Sequence, residues 1–328
     1  MPQVSVIIPA YNPDVTYLLE TLESIWAQTF QAIEVVLVDD GSTPDVVSSL
    51  PEGQQGLKVI RQTNQGHSKA RRRAVEEARG EYVAMIDADD LWASEKLEEQ
   101  VLLLEANSEL DFVFTDFFNF DAQGLKKPSY FTTRFSKRAE YSTLLSNGSR
   151  AWYRLSEDAI DSYLSGNYIL PSTVMAKRRS WIEKDMFLSQ CDCRELYEYM
   201  LRSMHELSIG FIDKPLAFRR IHASNLSHDQ VKYLKNTIYI SEIAQDYPWL
   251  TRENRTWLQR AANRARFSLA RDYFFMSQPA KSREQLNNLL TNGHVSLKII
   301  GLYLTTYLFP HPCLSMARSF KKKLMKRA

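Results

Sequence analysis

The sequence predicts an α/β protein, a mostly parallel sheet flanked by helices, with an all-helical C-terminal region. Three observations carry this. Compact apolar runs alternate with helical stripes as far as Phe117, the pattern of a parallel sheet with helices on both faces. Polar clusters fall at the carboxyl ends of those runs, where such sheets bind ligands. Beyond Gln230 the apolar spacing is helical throughout.

Val4-Ser5-Val6-Ile7-Ile8, halted by Pro9, reads as a buried strand. Leu18, Leu19, Leu22, Ile25 and Trp26 then mark a helix over residues 15–28. Residues 33–38 form a second strand ending on Asp39-Asp40-Gly41-Ser42, and residues 57–61 a third. A basic helix over 68–78 closes at Gly80. Residues 82–86 form a fourth strand that ends on Asp87-Ala88-Asp89-Asp90. A helix over 94–107 and a strand over 111–117 follow. Residues 121–165 mix aromatic and basic side chains without a clean period, and read as a loop-and-helix excursion. Residues 168–176 read as a strand, 195–206 as a helix, and Phe211-Ile212 as a brief strand before Pro215. A helix pair over 257–274 and 280–290 follows, turning at Ser277-Gln278-Pro279.

At 328 residues the chain has room for one large domain and an appendage. An apolar fraction of 44% is that of a soluble protein with a core, and a net charge of +2 gives no field for nucleic acid. Three cysteines argue against a disulfide framework and for a reducing compartment. Met1-Pro2-Gln3 leads into the first strand without a basic leader, so a cytoplasmic location is expected. The apolar stretch 295–309 contains Lys298 and falls short of the roughly 20 residues of a spanning helix. After it come Arg318, Lys321, Lys322, Lys323, Lys326 and Arg327 without an acid. Two readings stand: peripheral contact with an anionic membrane, and a core-packed helix with a soluble end.

Asp87 and Asp89 flank a small residue after an apolar strand, so both carboxylates can emerge together and hold Mn2+ or Mg2+ against substrate phosphates. Alone, such a turn equally caps a helix. Asp39 and Asp40 offer acceptors for a pyrimidine N–H or ribose hydroxyls, though a plain Asp-Gly turn looks the same. In Asn64 to Arg71 a turn glycine precedes a helix with a basic start, an arrangement suited to anions. Arg72 and Arg73 fit a solvated basic face.

Taken together, the first strand with Pro9-Ala10-Tyr11-Asn12, Ser24 to Phe30, Val38 to Thr43, Asn64-Gln65-Gly66, Ala70-Arg71 and Asp87 to Asp90 resemble glycosyltransferase family 2 in order and spacing over residues 1–115. The resemblance implies the GT-A fold and an inverting transferase using a nucleoside-diphosphate sugar and a divalent metal. It implies that Pro9, Tyr11 and Asp40, with Asp39 and Ala88 beside them, line the donor pocket. Arg71 would sit near the phosphates, Asp87 near ribose or sugar, and Asp89 on the metal. The segment 211–227, with its Arg-x-His-x-x-Asn-x-Ser ending, resembles the family's closing loop, which implies Arg220 or His222 at the diphosphate or metal. The family base is an Asp of a Glu-Asp pair opening a helix. Here Leu196 holds that position, leaving Glu195 or Asp192 as candidate base, or a chain with impaired transfer.

The expected organisation is a GT-A domain over 1–230, donor half 1–115 and acceptor half 116–230, then a helical region over 231–328 with a basic tail. The expected reaction is hexosyl or N-acetylhexosaminyl transfer, from a UDP-sugar by the family's habit, to a bacterial surface glycan or its lipid-linked precursor. Its setting is the cytoplasm or the inner face of the membrane. The alternative is a nucleotide-sugar-binding protein without transfer chemistry. A nucleotidyltransferase would carry a Gly-rich basic loop after the first strand, and Pro9-Ala10-Tyr11-Asn12-Pro13 is not one. An oxidoreductase would carry G-x-G-x-x-G, and no strand is followed by it.

Overall fold

The computed structural model describes residues 1–46, 48, 50, 56–145, 150–184, 186, 191, 193–223, 225 and 229–308. Two compact units divide the chain, Met1–His222 and Ala223–Ala328.

In the first unit, β1 (Val4–Ala10) leads through α1 (Val15–Trp26) to β2 (Ile33–Asp39) and β3 (Leu57–Arg61), then α2 (His67–Glu77) and β4 (Tyr82–Met85). The two-residue β5 (Leu91–Trp92) precedes α3 (Lys96–Ala106), the long β6 (Phe112–Asp121) and β7 (Gly124–Lys126). Next come α4 (Tyr130–Arg134), β8 (Ser142–Leu144), β9 (Trp152–Leu155), α5 (Ala159–Gly166) and β10 (Met175–Lys177). The unit closes with α6 (Arg178–Glu183), α7 (Glu195–Ser203) and β11 (Ile209–Arg220).

The sheet runs β3-β2-β1-β4-β10-β6-β11-β9-β8, with β5 on β11 and β7 on β6. It is parallel from β3 to β4; β1 and β4 are buried along their whole length, while β3 at the edge carries Lys58 and Arg61 and is only partly buried. Beyond β4 it becomes mixed, because β10 enters antiparallel between β4 and β6. The helix-flanked α/β GT-A architecture is the expected one, but the sheet is mixed rather than mostly parallel, because β5, β7, β8, β9 and β10 pair antiparallel.

α1 starts where Asp14 accepts the Thr16 and Tyr17 N–H groups at 2.9 and 3.3 Å, and it buries Leu18, Leu22 and Ile25. A second, aromatic core fills the far half of the sheet. Phe135 stacks on Tyr168 with centroids 3.8 Å apart, while Phe114, Phe131 and Phe211 pack around them. Among its described residues, the excursion at 121–165 contributes β7, β8 and β9 to the sheet. Residues 168–176, expected as one strand, instead form a 3₁₀ turn at Pro171–Thr173 and the short β10. Proline fixes φ and lacks the N–H a strand ladder needs, which accounts for the break. Pro215 does not stop β11: the register against β6 shifts on either side of it, and the strand continues to Arg220.

Among the described residues the second unit is helical: α8 (Gln230–Ile243), α9 (Arg252–Phe275), α10 (Pro279–Thr291) and α11 (Leu297–Leu308). A box between Thr251 and Asn254 caps α9, and Leu234, Ile238, Ala265, Leu269 and Tyr273 form the core. Among the described residues no helix is long and apolar enough to cross a membrane. The basic run at 318–327 lies outside the described residues.

Candidate functional site

Parallel pairing places three chain ends on one rim. Ala10 is level with Asp39, and β4 pairs with β1 through Ile7 and Met85, so Asp87 emerges beside Tyr11 and Asp40. Pro9 is buried in β1, while Tyr11 stands half exposed.

The two aspartates after β2 brace the rim. Asp39, fully buried, accepts the Ser42 N–H at 2.9 Å and the Val46 N–H at 3.3 Å. Asp40 accepts the Gln62 amide at 2.7 Å, the Gln65 N–H at 2.9 Å and the Gly66 N–H at 2.8 Å, which ties this turn to the start of α2. Each carboxylate oxygen has two acceptor directions, so Asp40 Oδ2, which accepts the Gly66 N–H, keeps room for another donor. The two loops approach closely at Gly41, whose φ is +82° and whose added Cβ would sit 2.8 Å from the Asn64 nitrogen. Gly41→Ala is therefore expected to destabilise the fold by about 1–3 kcal/mol, read as a lower urea midpoint with unchanged slope.

Arg71, on the buried side of α2, joins two chain segments. One terminal nitrogen pairs with Asp87 and the other with Glu195, at the first position of α7. Both Arg71 and Glu195 are nearly inaccessible to solvent, and Glu195 lies in the first turn of its helix, where the backbone dipole favours an anion. Ser68 holds the same approach by donating to the Cys191 carbonyl. Leu196 is buried in the core. Asp192 lies outside the described residues.

A second constellation forms around Asp89. Its Oδ2 lies 2.8 Å from His222 Nε2, and its carbonyl accepts from Arg220 Nε at 2.8 Å. The Arg220 guanidinium sits between the Tyr17 and Phe120 rings, 4.2 and 4.6 Å from their centroids, and pairs with Glu20. Arg220 thus grips the backbone of the carboxylate turn. Burial, and then the neighbouring Asp87 charge, push the Asp89 carboxyl above the usual range against the lowering effect of His222. Asp90 is pushed well up by complete burial, then by Asp89 and Asp87.

Sequence reasoning missed Ser172. Its hydroxyl donates to Asp90 at 2.5 Å and accepts the Asp87 N–H at 3.1 Å, so one side chain pins both ends of the turn. Trp92 in turn donates its indole N–H to the Ser172 carbonyl at 2.7 Å. No sequence signal marks Ser172, because its partners lie 80 to 85 positions away.

The donor chemistry fits a hard divalent cation. Three carboxyls within four residues repel one another, which a cation relieves, and Asp89 with His222 presents an oxygen and a nitrogen ligand. Among the described residues no group of three His, Cys, Asp or Glu side chains surrounds one point, so substrate phosphates and water would complete the shell.

Comparison with known proteins matches residues 5–160 to the model of "Glycosyl transferase family 2". An uncharacterized glycosyltransferase of Haemophilus influenzae is 34% identical over 149 residues, 44% of this chain and 58% of the relative. The matched stretch spans between 13% and 58% of the length of several such curated relatives. Among solved structures, Staphylococcus aureus TarS 1-349 in complex with UDP superposes with a TM-score of 0.58 at 20% identity, covering 97% of this chain and 87% of that one. The mannosyltransferase PcManGT of Pyrobaculum calidifontis, in complex with GDP-Man and Mn2+, gives 0.55 at 18% identity, covering 99% and 84%. At these identities the likeness speaks for the fold.

Proposed function

Residues 5–160 match the family 2 glycosyl transferase model, and on that premise we propose that the chain transfers a hexosyl or N-acetylhexosaminyl group, with inversion, from a nucleoside-diphosphate sugar to a hydroxyl. The observation that carries this reading is the Arg71 bridge, which brings a carboxylate of α7 to the rim where β1, β2 and β4 end. Tyr11 and Asp40 receive the nucleoside, with Pro9, Asp39 and Ala88 shaping the pocket behind them. Arg71 holds Asp87 toward the ribose or sugar.

Glu195 is the base. It takes the proton of the acceptor hydroxyl as that oxygen bonds to the anomeric carbon, and the bond from that carbon to the diphosphate oxygen breaks with its electron pair leaving on the nucleotide. Asp89 and His222 would hold Mn2+ or Mg2+, which when bound neutralises charge on the leaving diphosphate. Arg220 fixes the Asp89 backbone beside it. The acceptor is a surface glycan or its lipid-linked precursor, met at the inner face of the cytoplasmic membrane.

A second reading has its own observation. Leu196 stands where the family places its base, and Glu195 is already engaged by Arg71, as in a protein that binds nucleotide-sugars without transferring them.

Thermal shifts with UDP-, GDP-, dTDP- and CDP-sugars, each with and without Mn2+, test the donor site. Fold neighbours solved with UDP, UDP-GlcNAc and GDP-Man make the first two the leading probes. The expected result is a Mn2+-dependent rise in melting temperature with UDP-sugars. No metal-dependent shift with any of them would sink the donor-site reading.

A further inference from the structure

α11 is apolar on both its inner and its outer side. Thr306 is its buried residue, while Leu297, Ile300, Leu304, Tyr307 and Leu308 are exposed, Leu297 at 89% and Leu308 at 72%. At 100° per residue these five side chains fall within an arc of about 100°. A helix packed only on its own protein core leaves its outer side polar. The inner side holds half-buried Ile299, Leu302 and Tyr303 around Thr306, where Arg283 donates to the Thr306 carbonyl at 3.1 Å and the Thr306 hydroxyl donates to the Tyr303 carbonyl at 2.7 Å.

Resting on the reading of a transferase that works at a membrane, we propose that this stripe is the docking surface, lying in the interface of an anionic bilayer. Twelve residues span about 18 Å, too short to cross the hydrocarbon core, so the helix lies in the membrane plane. α11 contains no acid, and its one cation, Lys298, lies about 80° outside the arc of the stripe and leaves that face uncharged. Tyr307 suits the same boundary, with an apolar ring and a polar tip. The occupant follows from charge: residues 309–328 add six lysines and arginines and no acid directly after the stripe. An apolar face joined to a polybasic segment is the two-signal arrangement of stable peripheral attachment.

The test is flotation of the full chain with phosphatidylcholine–phosphatidylglycerol vesicles and with phosphatidylcholine vesicles. The wild type is expected to float with the anionic vesicles and to release as salt rises. Leu304→Glu with Leu308→Glu should weaken binding more than about tenfold. Lys321→Ala, Lys322→Ala and Lys323→Ala together should weaken it about 100-fold on anionic vesicles only. The altered side chains of α11 are exposed, so melting temperature and the nucleotide-induced shift should stay unchanged. Wild-type chain that fails to float, or a double-Glu variant that floats like wild type, overturns the proposal. So does a concentration-dependent dimer, seen by light scattering without lipid and lost in the double-Glu variant, which would make the stripe a contact between copies. A retained nucleotide shift with no flotation removes the docking surface and leaves the transferase. Flotation without any nucleotide shift does the reverse.

Discussion

Glu195→Gln is expected to lower the transfer rate about 10²–10⁴-fold while donor affinity stays within about twofold. The substitution keeps size and one hydrogen bond to Arg71 but removes the proton acceptor. That loss corresponds to roughly 3–5 kcal/mol on the barrier. The competing effect is structural, because Glu195 and Arg71 form a buried pair and breaking such a pair costs about 3–5 kcal/mol when a charge is stranded. Arg71 is not stranded here: it keeps Asp87. The melting temperature should therefore fall by much less than full loss of the pair implies, and the rate should fall far more than stability explains. Single-turnover rates with an acceptor, beside UDP-sugar binding and melting curves for both proteins, separate the two. A variant that keeps a tenth or more of the wild-type rate would show that the proton goes elsewhere. A wild type that binds donor but turns over no acceptor would favour the binding-protein reading.

What the sequence made legible follows from how local each signal is. β1, β2, β3 and β4 are short apolar runs with turn residues at their ends, and the structure places them within two residues of the expected bounds. Phe131 and Phe135 gave no period, because their reason for being aromatic is Phe114, Phe211 and Tyr168, which other segments bring to them. Pro215 looked like a stop because a proline usually is one, and only pairing with β6 on both sides of a bulge overrides it. The site divides the same way. Asp39, Asp40, Asp87 and Asp89 announce themselves at strand ends. His222 meets Asp89 across 133 positions and was legible only through the family resemblance, whereas Ser172, an ordinary serine in a 3₁₀ turn, was not legible at all.

Asp89→Asn should abolish the Mn2+-dependent thermal shift, lower transfer at least about 100-fold, and yet melt at or above the wild-type temperature. The sign of the stability change comes from the direction of the Asp89 pKa. Burial and Asp87 raise it despite His222, so the folded chain holds this proton more tightly than the unfolded chain does. The stability associated with that proton is present at low pH and is lost as pH rises through the raised pKa. At neutral pH the ionised group therefore costs the fold something, and asparagine, which cannot ionise, escapes that cost. The same shift sets the pH dependence of the metal. Protons compete with the cation for Asp89 above the range of an ordinary carboxylate, so Mn2+-dependent donor binding should begin to weaken on acidification before other surface aspartates titrate. In Asp89→Asn the residual donor binding should lose that acid limb together with its response to Mn2+. A variant that keeps the metal-dependent shift would move the cation to another ligand of the turn. One that melts well below wild type would mean that the His222 contact outweighs the repulsion from Asp87.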